Sequence, residues 1–275
     1  MAKTLLRDPD VYRVRPGRPI HLNDVDPNDT SVFDGDKDEG REYAEWLSER
    51  LDETQDLFYA DRRYALLIVL QGMDTSGKDG VIRRVFQSVD PLGVRVKCFV
   101  RPTPEELAHD FLWRVHPHAP ARGEIAIFNR SHYEDVVTAR VLGTVDEAAC
   151  RERFEHINAF ERALAAHGTV ILKFLLHIDR EEQGSRLQAR LDAPHKHWKF
   201  DPADLEARLR WPAYMQAYGD ALAATSTAWA PWYLVPANRK WYRDLVVGAV
   251  IVRAIEALDL RYPVPAFDPA AIVIP

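Results

Sequence analysis

The stretch LIVLQGMDTSGKDG, Leu67 to Gly80, decides the fold. It begins as a continuous run of branched apolar residues, which reads as a strand buried on both faces. It ends in a glycine-punctuated loop that fits G-x-x-x-x-G-K at Gly72, Gly77 and Lys78. Glycines at that spacing let successive backbone N–H groups converge on phosphate oxygens. The next segment, VIRRVFQSV, predicts a helix whose N-terminus adds the positive end of its dipole. Lys78 supplies a point charge to the distal phosphates. Gly72, Thr75, Ser76, Gly77, Lys78, Asp79 and Gly80 are therefore candidate phosphate contacts.

The same loop carries two carboxylates, Asp74 and Asp79, against one ammonium. Asp79 stands where such loops usually have Ser or Thr. A carboxylate about 4 Å from a phosphate oxygen is repelled by ~4 kcal/mol at a surface-like dielectric. A bridging divalent cation reverses the sign of that interaction, so the pattern points to phosphate handled together with Mg²⁺. Asp79 has a second reading, as an acidic first-turn residue that stabilises a helix N-terminus without metal.

Working outward, similar apolar runs recur at 94–100, 124–129, 169–178 and 232–237. Stretches with helical periodicity separate or follow them, at about 79–89, 104–115, 147–167, 181–191, 201–227 and 239–260. Strands alternating with helices predict an α/β fold with a parallel five-stranded sheet flanked by helices. Residues 1–36, rich in Pro, Asp, Asn and Gly, are expected to form an extended N-terminal arm whose Arg13, Arg15 and Arg18 are solvated. A helical arm starts at about Lys37, and 37–275 reads as a single phosphate-loop kinase domain. Residues 181–215, dense in Arg, Lys and His, are the candidate helical lid.

Composition narrows the function. The net charge of −6 makes any polyanion site a local basic patch, and neither nucleic acid nor membrane is an expected partner. The longest late apolar run, Leu245 to Val252, is far short of the ~20 residues that span a bilayer. The first residues lack the apolar core of a secretory signal, and Cys98 and Cys150 form no CxxC pair. A soluble, cytoplasmic protein is expected. The histidine pairs at 116–118 and 195–197 are too close for shared zinc ligation.

Further candidates follow from position. The strand EIAIF runs into NRSHYEDV, where Asn129 occupies the place of a second acidic group and cannot bring its charge. Arg130 can reach a phosphate in bidentate fashion, and Glu134 can face the same cleft and help hold metal. Arg186 and Arg190 share one helix face, and with Lys196 and Lys199 they put four cations within fourteen residues. Such lid cations suit the charge spread over a phosphoryl in transfer. Arg83 and Arg84 extend the basic track, while Arg101, Asp110 and Arg114 are candidates for an acceptor pocket.

Taken in order, GMDTSGKDG, HDFLWRVH, IFNRSHYEDV, RLDAPHKHWKF and APWYLVPANRKWYRDL resemble the polyphosphate kinase type-two family, over roughly residues 10 to 270. The resemblance implies phosphoryl transfer between inorganic polyphosphate and nucleotides with Mg²⁺ or Mn²⁺. It places Asp74 and Lys78 in the family's loop, Arg130 after its second acidic motif, and Arg186 and Arg190 in its lid. Asn129 departs from the Asp found in many members and resembles the subgroup that phosphorylates both nucleoside mono- and diphosphates. The implied reactions are AMP to ADP and ADP to ATP, in a homo-oligomer. The alternatives are an ATP-dependent nucleoside monophosphate kinase and a non-catalytic polyphosphate or nucleotide sensor.

Overall fold

The computed structural model describes residues 6–274. In chain order the elements are α1 (Lys37–Asp61), β1 (Ala65–Gln71), α2 (Lys78–Val85), β2 (Val94–Cys98), α3 (Pro104–Leu107), β3 (Ile125–Asn129), α4 (Thr138–Val141), α5 (Glu147–Ala166), β4 (Thr169–His177), α6 (Arg180–Leu191), α7 (Ala203–Leu209), α8 (Trp211–Thr225), β5 (Trp232–Pro236) and α9 (Lys240–Glu256). The five strands pair in parallel in the order β2-β3-β1-β4-β5. Chain order reverses on either side of β1, which leaves a crevice at the carboxyl ends of the central strands. Register sets Leu70 beside Asn129, and Asn129 beside Cys98. The loop after β1 and the end of β3 therefore face the same opening.

β1, β3 and β5 are buried along their whole length, as continuous apolar runs require. β2 differs: as an edge strand it is only partly covered, which lets VRVKC carry Arg95 and Lys97. Helix α1 starts with a complete capping box between Asp36 and Glu39 and packs along α9. Gly40 makes that approach possible, since a Cβ there would lie 2.4 Å from the Trp241 ring.

Two expectations are corrected. The helix expected over 104–115 stops at Leu107, and Asp110 instead bonds the Leu112 N–H, a local turn that competes with helix. The N-terminal arm is docked on the domain, while Arg13, Arg15 and Arg18 stay exposed as expected. Two short 3₁₀ turns, Pro9–Tyr12 and Leu22–Asp24, flank Arg13, which bridges antiparallel to Tyr233 and so covers the β5 edge. The apolar run Leu245 to Val252 is buried within α9, against the sheet and α1. Among the described residues no helix is long and apolar enough to cross a membrane.

Candidate active site

A cavity of about 730 Å³ opens at the carboxyl end of the sheet, between the β1–α2 loop and the segment 186–204. Loop backbone shapes its floor. Gly72 has φ 144° and Gly77 φ 106°. A Cβ on Gly77 would lie 1.8 Å from Arg243 Nη1, so glycine is required twice over. Thr75 (φ 68°) and Arg130 (φ 60°) hold the left-handed region without being glycine. Such strain concentrates at functional sites. Thr75 Oγ1 and Ser76 Oγ are buried with no hydrogen-bond partner among the described residues. An oxyanion seated in the loop would give them one.

Lys78 is buried and donates from Nζ to the Gly72 and Met73 carbonyls, at 2.7 and 3.3 Å. Burial pushes its ammonium below the usual lysine range, against the pull of Asp74. Asp74 accepts from Arg130 Nη2 at 2.6 Å. Burial opposes its charge, but Lys78 and Arg130 more than offset that and hold the carboxyl below its ordinary value.

The lid adds a residue that sequence reasoning missed. Asp204, in the first turn of α7, lines the cavity facing Asp74 and lies 3.3 Å from Arg190 Nη1. Burial and the Asp74 charge push its carboxyl up to about 7. The segment KFDPADLEAR resembles an ordinary helix start, and only the fold brings α7 over the loop.

The structure brings Asp74, Thr75, Gly77, Lys78, Asp79, Gly80, Arg83, Asn129, Arg130, Arg186, Arg190, Lys196 and Lys199 to this one cavity. Gly72 and Ser76 belong to the loop beneath it, and Arg84 lies in an adjoining groove. Asn129 Nδ2 donates to Asp79 Oδ1 at 2.7 Å. Glu134 does not line the cavity. Its Oε2 accepts from Thr138 at 2.7 Å, and its Oε1 accepts from the Gln71 amide at 3.0 Å.

One role changes. Arg186 does not present a free guanidinium. It donates to Glu182 and to the carbonyls of Thr75, Ser76, Ala237 and Asn238, at 2.7 to 3.1 Å. All five N–H donors are thereby committed, and α6 is pinned to the loop and to the end of β5. The three acceptor-pocket candidates lie outside this cavity: none of Arg101, Asp110 and Arg114 lines it. Arg101 and Asp110 are exposed, while Arg114 is buried and donates to the Val100 carbonyl at 2.9 Å. Phe99, Val100 and Trp198 give the cavity its large apolar lining.

A parallel sheet with a phosphate-cradling loop at its centre, closed by a cationic lid, defines a phosphate-loop kinase fold. The chain belongs to the polyphosphate kinase 2 family, whose model, Polyphosphate kinase 2 (PPK2), matches residues 34–263. It is 50% identical over 263 residues to the AMP/ADP-polyphosphate phosphotransferase of Meiothermus ruber, covering 96% of this chain and 98% of that one. The ADP-polyphosphate phosphotransferase of Rhodopseudomonas palustris is 40% identical over 264 residues, 92% of this chain and 91% of the relative. Among solved structures, polyphosphate kinase 2 from Arthrobacter aurescens superposes with a TM-score of 0.93 at 42% identity, covering 97% and 95% of the two chains.

Proposed function

We propose that this chain is a polyphosphate-dependent nucleotide kinase. It moves a phosphoryl group reversibly from inorganic polyphosphate to nucleoside mono- and diphosphates, AMP to ADP and ADP to ATP. One observation carries the reading. Lys78, Arg130, Arg190, Lys196, Lys199 and Lys240 converge on one cavity, far more cationic than an acidic protein needs for a single nucleotide phosphate. The names of the Meiothermus and Rhodopseudomonas relatives point the same way.

The chemistry asks for alignment and charge neutralisation, with little covalent help. The loop N–H groups and Lys78 hold the donor end. Arg130, kept in place by Asp74, faces the same space, and Arg190 reaches it from the lid. Arg186 acts through the loop, by fixing the Thr75 and Ser76 carbonyls. Phe99, Val100 and Trp198 supply an apolar wall for the acceptor's base.

The residues present fit Mg²⁺ or Mn²⁺. Among the described residues no three His, Cys, Asp or Glu side chains form a ready-made cage. Mg²⁺ commonly uses one or two carboxylates plus substrate phosphates. Asp74 and Asp204, facing each other, are such a pair, and a cation between them would relieve the repulsion that raises Asp204. When bound, the metal neutralises charge on the phosphoryl oxygens. Asp79 is held by Asn129, and Glu134 by Thr138 and Gln71, so both stand behind this pair. The test is to offer AMP or ADP with polyphosphate as sole donor and to follow the products. Absence of turnover in saturating Mg²⁺ would support a sensor instead.

A further inference from the structure

A second groove, of about 1060 Å³, lies on the far side of α2 from the lid. It is continuous with the cavity just described, because Gly80, Arg83, Lys240 and Arg243 line both. Its other walls come from three elements far apart in sequence: the start of α1, the exposed side of α2, and the segment that leads into α9.

Charge in this groove is unbalanced: Lys37, Arg41, Arg83, Arg84, Arg239, Lys240 and Arg243 line it, against the carboxylates of Asp36, Glu45 and Asp244. Asp36 is occupied as the α1 cap, accepting from the Asp38 and Glu39 N–H groups, and Asp244 is paired with Arg243 at 2.6 Å. Among the described residues, Lys37, Arg83, Arg84, Arg239 and Lys240 make no ion pair with any carboxylate. Helix α9 also starts there with no side chain capping its N-terminus. Lys240 is pushed below the usual lysine range by partial burial and by neighbouring Arg186 and Arg243. Cations that outnumber the carboxylates beside them are costly unless an anion joins them. Apolar lining is sparse, with only Trp241 and Ala44 offering such surface, and Trp241 is already packed on Gly40. A nucleoside base has little to rest on here.

We infer that this groove is a distal track for the polyphosphate chain: phosphoryl units beyond those in the catalytic cavity pass over Gly80 and Arg83 and lie against Arg84, Arg239, Lys240 and Lys37. The inference rests on the polyphosphate-kinase reading. It adds that long donors bind more tightly than short ones because they reach α1 and the α9 entry, away from the lid.

The test is Lys37→Glu/Arg239→Glu, with Arg239→Gln as a milder variant. Rates are measured with tripolyphosphate and with chains of about one hundred units as donors, with ADP as acceptor. Binding of the long chain is followed separately by fluorescence anisotropy, and thermal melts check folding. KM for the long chain should rise about tenfold in the double variant, while KM for tripolyphosphate moves less than twofold. Arg239→Gln should show a smaller loss in the same direction, and anisotropy should show weaker, less salt-dependent binding. Equal change for both donors, or no change for either in a folded variant, overturns the distal track. Either result leaves the proposed function standing if the wild-type enzyme turns over both donors. A wild-type enzyme that uses neither donor would fail the functional reading itself, and the track with it.

Discussion

The side-chain amide of Asn129 donates to Oδ1 of Asp79 across 2.7 Å, tying the end of β3 to the first turn of α2. A neutral donor thus stands where an acid would put two carboxylates in contact. Asp79 combines this bond with a favourable place at a helix N-terminus, which accounts for it without a metal.

Asn129→Asp should therefore destabilise the protein in metal-free buffer. Two facing carboxylates lose the hydrogen bond and repel, at a cost of about 1–3 kcal/mol. Added Mg²⁺ should recover much of the loss. Melting curves in EDTA and in Mg²⁺ decide this, and an unchanged melting temperature in EDTA would mean that the Asn129–Asp79 bond contributes nothing.

Asp74→Asn should leave the fold intact but lower kcat by about a hundredfold or more, as the removal of electrostatic groups from such sites does. The same change removes the negative charge that pairs with the Arg130 guanidinium. Steady-state kinetics across a Mg²⁺ series is the measurement. An unchanged kcat with unchanged Mg²⁺ dependence would exclude Asp74 from the chemistry.

Arg186→Lys separates a clamp from a charge. Lysine keeps the positive charge but cannot span four carbonyls and Glu182. The variant should melt several degrees lower and lose about tenfold or more in kcat/KM, because the loop loses its brace. Near wild-type stability with normal turnover would show that charge alone is what the position needs.

Lys173, buried in β4, bonds Glu161 at 2.5 Å, with Tyr133 and the Thr225 carbonyl completing its shell. Lys173→Met strands a buried carboxylate and should cost about 3–5 kcal/mol. Lys173→Met/Glu161→Gln should recover part of it. Denaturant titration checks both, and a double variant as unstable as the single would contradict the pairing.

Much of this was legible in the chain. The five apolar runs became five parallel strands because buried parallel strands need continuous apolar sequence, and GMDTSGKDG became the phosphate loop because its glycines meet the backbone and Arg243. What was not legible depends on long-range placement. Asp204 faces Asp74 only because α7 folds over the loop, 130 positions later in sequence. Arg186 looks like a catalytic arginine in one dimension, and only the fold shows its guanidinium bonded to the Ala237 and Asn238 carbonyls. Arg114 sits in a motif full of functional residue types, yet its guanidinium is turned inward to Val100. The groove over α2 is assembled from α1, α2 and the α9 entry, so no local motif announces it.

The central claim is that polyphosphate alone can drive the reaction. Purified enzyme with Mg²⁺ should be given AMP and polyphosphate without ATP, and separately AMP and ATP without polyphosphate, with nucleotides resolved over time. The account predicts ADP and then ATP in the first mixture. AMP phosphorylation only in the second mixture would contradict it and mark an ATP-dependent nucleoside monophosphate kinase.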